Sequence, residues 1–239
     1  MKDQRYVWNP FRMISPKLNS EVGRIEELYQ IPVSESHSPA ESVLVMISKL
    51  IEVTKILSVC FVGESAVKLK ECERLTQEVH HEEHLATSSL VDSSSVIGQN
   101  LFKIVVRFPS RIERIGVMFE NIVTCCRIKI AEGIPFSDKA LAELSGLFSL
   151  TLDILTNLRD SLIIPNKVVL QHIQSQGRKL RQQVEDARFA HWERLEAGYC
   201  SPQASSLYLG ILDAFNSINQ YVGNMRESLI TFTDTPEKS

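Results

Sequence analysis

Apolar residues recur three and four positions apart through six separate stretches of this chain, and proline or glycine interrupts the period between stretches. A spacing that alternates between three and four keeps side chains on one face of an α-helix, whereas strands need a period of two. The first seam is Val43, Ile47, Leu50, Thr54, Leu57 and Phe61, started by Ser38–Pro39 and closed by Gly63. Proline costs nothing in a first helical turn, where its missing N–H would have no partner. The second seam is Leu69, Cys72, Leu75, Val79, Ala86 and Leu90, and it stops at Ser93 to Ser95. The third runs through Ile97, Leu101, Ile104, Phe108, Ile112, Ile115, Phe119, Ile122 and Cys126. Pro109 falls inside it, which predicts a kink. Gly133 and Pro135 then break the chain.

Ser137 caps a fourth seam through Leu141, Leu144, Phe148, Thr151, Leu155, Leu158 and Leu162, which Pro165 ends. The fifth carries Val169, Ile173, Leu180, Val184, Ala187, His191 and Leu195, up to Gly198. Ser201–Pro202 restarts the chain as Ser38–Pro39 did, and Ile211, Phe215, Ile218, Val222, Met225 and Leu229 form the sixth. No segment alternates like a strand. The expected fold is all-α, with six long helices in two tandem three-helix bundles.

Residues 38–134 form the first three-helix repeat and residues 135–232 the second. Ahead of them, residues 1–37 read as an irregular arm interrupted by Pro10, Pro16 and Pro32, with one short helix near Asn19 to Tyr29. Trp8, Phe11, Leu18 and Leu28 are its candidates for packing onto the body. Residues 233–239 read as a disordered tail. With only 10 glycines and 9 prolines among 239 residues, long helices are favoured over many-turned β architectures. The five cysteines form no CxxC pair and no Cys/His zinc spacing, which fits a reducing, cytoplasmic setting. The best uninterrupted apolar run, Val43 to Ile47, is far short of a membrane span, so a soluble chain is expected.

A formal net charge of −3 gives no global reason to bind nucleic acid, so electrostatic function must come from a local patch. Lys103, Arg107, Arg111 and Arg114 fall within roughly an 80° arc at 100° per residue, opposite the third apolar seam. Such a cationic stripe suits phosphate, an anionic membrane face or an acidic partner, or else pairs with acids on neighbouring helices. Arg178, Lys179 and Arg181 form a smaller cluster open to the same two readings. His80 and His84 stand at i, i+4, a spacing that can hold a divalent metal or simply form part of a solvated charged face. The run is not HExxH, since Leu85 follows His81 by four residues. His191 lies on the inward period of the fifth helix, where a carboxylate or backbone carbonyl is expected to satisfy it. No nucleophile elbow, P-loop or dinucleotide fingerprint occurs, so no enzyme activity is expected.

The third and sixth helices are similar at an offset of 103 residues: Ile112, Ile115 and Phe119 fall over Phe215, Ile218 and Val222, and Asn121 over Asn224. The third helix reads Arg111-Ile112-Glu113-Arg114-Ile115-Gly116, then Glu120-Asn121, which resembles the signature of the PhoU family of phosphate-uptake regulators. The corner His191-Trp192-Glu193-Arg194-Leu195-Glu196-Ala197-Gly198, followed by Ser201, is similar to the fifth-to-sixth corner of that family. The version most similar is the PhoU-like cytoplasmic domain of bacterial sodium/phosphate cotransporters. Ile14 to Leu18 also looks like the linker that precedes such domains.

The resemblance covers about residues 38–230. It implies two three-helix bundles and regulation of phosphate transport by contact with a membrane transporter or signalling protein, at the inner face of the membrane. A homodimer is left open. The family's acidic ExxxD pairs imply metal clusters, but here only Glu113 keeps its carboxylate. Val117 replaces the first aspartate, and Asn216 and Gln220 occupy both positions in the second repeat. One carboxylate with two amides makes a poor site for a hard cation. No cofactor is therefore expected, and divalent or ferric metal would bind weakly. A metal-binding bundle using Glu113 with His80 and His84, or a helical adaptor unrelated to phosphate, are the alternatives.

Overall fold

The computed structural model describes residues 39–63, 65–92 and 106–234. Over them the chain forms six helices: α1 (Pro39–Gly63), α2 (Ala66–Asp92), α3 (Phe108–Ala131), α4 (Asp138–Ile163), α5 (Lys167–Glu196) and α6 (Pro202–Asp234). No strand is present among the described residues. The proposed arm helix, Lys103 and the residues after position 234 lie outside them.

Local chemistry sets the helix ends. The Ser137 hydroxyl accepts from the Ala140 N–H at 3.2 Å, Asn166 Oδ1 from Val168 N–H at 2.8 Å, and Ser201 Oγ from Ala204 N–H at 3.1 Å. Two helices end the same way. Gly133 (φ 62°) donates to Ile130 O while Ile134 donates to Lys129 O. Gly198 (φ 74°) donates to Leu195 O while Tyr199 donates to Arg194 O. Both are Schellman caps, whose left-handed residue is cheap only for glycine.

Pro109 does not kink a longer helix. It stands in the first turn of α3, directly after Phe108, with Arg107 as the cap residue. Its missing N–H belongs there to a group that has no intrahelical acceptor anyway, so the ring fits the start of a helix better than its middle.

The six seams close on one another in a single core. All six positions of the α1 seam are buried, as are Ile112, Ile115 and Phe119 of α3 with their counterparts Phe215, Ile218 and Val222 of α6. Within each trio the middle helix packs on its two sisters: α2 on α1 and α3, α5 on α4 and α6. The trios join through α1 against α4 and α3 against α6. Phe148 meets Phe215 edge-on with ring centroids 4.9 Å apart, tying α4 to α6. Four helices thus form the inside, and α2 and α5 lie on the flanks with one face in water.

Helix α4 is apolar for its length, with a mean hydropathy of 1.2 over its most apolar 18 residues, though it holds no long uninterrupted apolar run. The reason is its position: packed against α1, α5 and α6, it is apolar on more than one side.

The α5–α6 contact depends on a missing side chain. A methyl group built on Gly177 would stand 2.7 Å from Asn219 Oδ1, and Asn219 Nδ2 donates to the Gly177 carbonyl at 2.9 Å. Gly223, by contrast, has nothing within 4 Å of its would-be methyl. We therefore expect Gly177→Ala to destabilise the protein by about 1–3 kcal/mol through overpacking. Gly223→Ala should stabilise it by up to about 1 kcal/mol. Chemical denaturation of the two variants tests the pair, since helix propensity alone would move both the same way.

Candidate functional surface and polar clusters

Three polar constellations stand out on this frame. The first is at the start of α3. Arg107 and Arg114 are exposed. Arg111, between them, is half-buried and donates through one guanidinium nitrogen to Asn224 O and Ser228 Oγ of α6, both at 2.9 Å. Burial, with the neighbouring charge of Arg107, pulls its pKa below the ordinary arginine value, and Glu227 opposes this. Arg111 is thus a strut between the two repeats as much as a surface charge. Of the stripe's described members, Arg107 and Arg114 face solvent.

The second is a clip between α2 and α3. His80 of α2 sets Nδ1 3.1 Å from Glu113 Oε1 and Nε2 2.9 Å from Glu120 Oε1. The ring thus faces one carboxylate oxygen with each of its nitrogens. Nearby, Lys49 pairs with Glu78, and Arg127 donates to Glu73 at 2.7 Å. His84 stands out in water, with Nδ1 3.9 Å from Glu83. It does not share a ligand point with His80, both of whose nitrogens already face carboxylates. Glu113 therefore faces an imidazole from its own chain. Asn216 is half-buried on α6 and Gln220 is exposed. Among the described residues no three His, Cys, Asp or Glu side chains converge as a metal site. Glu113, His80 and Glu120 surround a ring, not a point in space. With Val117 contributing no oxygen, this donor set does not fit the family's metal cluster.

The third, which sequence reasoning missed, is a buried network at the α5–α6 corner. Arg194 donates through both terminal nitrogens to the two carboxylate oxygens of Glu143 on α4, at 2.9 and 2.8 Å. Their side chains are only 10% and 17% exposed. Tyr208 of α6 donates its hydroxyl to the same carboxylate, and burial together with that bond raises its pKa. His191 stacks on Tyr208 with ring centroids 4.9 Å apart. The available signal was Arg194 itself, three residues beyond His191 on an inward-facing period where an arginine requires a carboxylate.

His191 corrects its expectation. It is buried, yet Nε2 has no hydrogen-bond partner and Nδ1 faces Cys200 Sγ at 4.0 Å, in place of a carboxylate or carbonyl. Burial, aided by Arg194, lowers its pKa from 6.5. The buried thiols show no nucleophilic activation: burial raises Cys60 and pushes Cys72 up to about 12.

Two outcomes are expected of this corner. Glu143→Ala leaves Arg194 buried without its partner and should cost about 3 kcal/mol. Asp213→Ala removes only the exposed partner of Arg188 and should change stability by about 0.5 kcal/mol or less. Paired urea titrations measure both. His191 binds its proton less readily folded than unfolded, so the unfolded chain takes up more protons below pH 6.5. Its share of stability is intact above that pH and is lost progressively as the pH falls through 6.5 toward the lower folded value. Melting curves across this range should show that loss, and His191→Gln should flatten it.

Solved structures place the fold among known proteins. The chain is similar in structure to PhoU from Pseudomonas aeruginosa, with a TM-score of 0.71 and 12% identity over 90% of this chain and 98% of that one. It is equally similar to the phosphate transport system regulatory protein PhoU from Streptococcus pneumoniae, with a TM-score of 0.72 and 12% identity over 91% and 97%. A PhoU-like phosphate regulatory protein from Shewanella oneidensis matches with a TM-score of 0.55 and 9% identity over 85% and 100%. No protein-family model matches the chain, and no curated protein matches it in sequence. The fold is therefore that of the PhoU-like regulators.

Proposed function

We propose that this chain is a PhoU-like regulatory domain that adjusts phosphate transport by docking, at the cytoplasmic face of the membrane, on a transporter or its attached signalling protein. The observation that carries the reading is the likeness of the six-helix fold, over nearly the whole chain, to regulators of phosphate transport. The motif similarity of α3 and of the corner after α5 points the same way, and toward the domain carried by sodium/phosphate cotransporters.

Binding, not chemistry, is the mode of action that the side chains support. The buried histidine, tyrosine and arginine are locked into a structural corner, and no activated nucleophile accompanies them. The departures at Val117, Asn216 and Gln220 remove three of the four carboxylates on which a metal-dependent version would rely. What remains for recognition is surface. The first candidate is the exposed pair Arg107 and Arg114, whose guanidinium groups suit carboxylates or phosphates on a partner. Arg111 belongs to this patch only in part, because its guanidinium also bonds α6.

Arg107→Glu with Arg114→Glu is the direct test, because neither side chain is part of the core. Binding to the purified phosphate transporter in proteoliposomes should weaken at least about tenfold, with the circular dichroism spectrum unchanged. Unaltered capture by the double variant would remove these arginines from the interface. Failure of the wild-type protein to bind phosphate-transport components at all would overturn the reading as a whole.

A further inference from the structure

The corner between α5 and α6 holds an imidazole that the fold does not use. His191 is 2% exposed, its Nε2 has no partner, and its Nδ1 faces Cys200 Sγ at 4.0 Å. A thiol is a weak donor, and a buried ring nitrogen ordinarily finds a carbonyl, a carboxylate or a hydroxyl. Both residues line one small cavity of about 20 Å³, whose walls are otherwise apolar at Pro135, Phe136, Ala140 and Ala204. Such a space takes a single ion or water molecule, not an organic ligand. Tyr199 also lines the cavity and is 81% exposed, so the cavity reaches the surface.

The backbone fixes both side chains before anything binds. His191 stands on α5, less than two turns from its end. Gly198 (φ 74°) closes that helix, with Tyr199 N–H donating to Arg194 O, and Ser201 opens α6 by accepting from Ala204 N–H at 3.1 Å. Cys200 is the residue between these two caps. A thiolate and an imidazole so placed are ligands for a soft or borderline metal ion.

Distance, ligand number and charge narrow the choice. Bonds of roughly 2.3 Å to sulfur and 2.0 Å to nitrogen put two ligands of a tetrahedral ion about 3.5 Å apart. A separation of 4.0 Å requires a wider angle, toward the opposed ligands of a two-coordinate ion. Among the described residues no third His, Cys, Asp or Glu completes a set with these two. The nearby carboxylate, Glu143, is already taken by Arg194 and Tyr208. Thiolate ligands select copper(I) among the common metals that accept so few ligands. As the sulfur–copper bond forms, the Cys200 thiol releases its proton to solvent, and the Nδ1 lone pair makes the second bond; no electron is transferred. Thiolate and monovalent copper sum to zero charge. A divalent ion would leave one positive charge uncompensated in an apolar cavity close to Arg194, which is costly. Coordination needs a neutral imidazole, and burial favours that form of His191.

We propose that the α5–α6 corner is a two-coordinate site for copper(I), held between Cys200 Sγ and His191 Nδ1. The site uses no residue of the acidic motif and is independent of the docking role assigned to α3.

Anaerobic titration of the full chain with copper(I), in competition with a chromophoric copper(I) chelator, tests it. The wild-type protein should bind one equivalent. Cys200→Ser should bind at least about 100-fold more weakly, since loss of a ligand exceeds the 10–100-fold loss expected for an outer-shell partner. This near-isosteric change at a half-buried position should leave the circular dichroism spectrum unchanged. His191→Gln should weaken binding as well. Cys125→Ser, which removes the other half-buried thiol, should bind as wild type does. X-ray absorption at the copper edge should show one sulfur and one nitrogen, and equimolar zinc(II) should not displace the ion. A wild-type protein that takes up no copper(I), equal uptake by Cys200→Ser, loss of uptake in Cys125→Ser, sulfur-only coordination, or displacement by zinc would each overturn the proposal.

Discussion

Every feature of this protein depends on burying one apolar seam per helix in a core shared by all six. Helix nucleation is costly, and most helical stability in proteins comes from packing an apolar face against neighbours rather than from propensity. The seam positions of α1, α3 and α6 are almost entirely removed from water, and rings from α1, α4 and α6 meet in the middle. A core continuous across the two repeats also explains why polar residues at their boundary are so constrained. Arg111 satisfies α6 carbonyl and hydroxyl oxygens because, half-buried at the α3–α6 contact, it has partly exchanged water for them.

The two repeats solve the same packing problem with different residues. At the level of residue 116 in the first and residue 219 in the second, the flanking helix comes close to its sister. In the first repeat Gly116 of α3 provides the room, and Val79 of α2 fills it at 3.4 Å from the would-be methyl. In the second the small residue has changed sides: Gly177 is on α5, and Asn219 of α6 reaches across to its carbonyl. Charge follows the same logic of divergence. Glu113 and Glu120 hold His80 in the first repeat, where the second has Asn216 and Gly223 at the corresponding positions. The pseudo-symmetry is thus one of shape and seam, not of polar chemistry.

This division decides what could be read in advance. The helices were legible because their period, caps and breakers are local: Ser137, Asn166 and Gly198 act within a turn of where they stand. Pro109 was misread for the same reason. A proline inside an unbroken apolar period looks like a kink, and only the start of α3 at Phe108 shows that it opens a helix. The polar clusters are products of tertiary approach. Nothing near Arg194 in sequence names Glu143, 51 residues away, as its partner, and nothing near His80 names Glu120, 40 residues on. His191 was correctly turned inward but given the wrong neighbour, because a Cys200 reached by the chain reversal at Gly198 is invisible to helical periodicity.

Polar investment and recognition consequently occupy different parts of the molecule. The buried network of Glu143, Arg194 and Tyr208 ties α4, α5 and α6 where the chain turns, and such networks favour one arrangement over looser alternatives when every member is satisfied. Here two groups at the corner are not, since Arg194 Nε and His191 Nε2 lack partners, and that lowers the gain from the network. The corner is therefore a place where the fold gives up stability for a fixed geometry of the α5–α6 junction. That geometry seats α5 on its sisters while its outer face, with Phe189 and Trp192, stays clear of the core. A rigid flank helix with a patterned outer face is better suited to recognition than a mobile loop, because few degrees of freedom remain to be lost on binding.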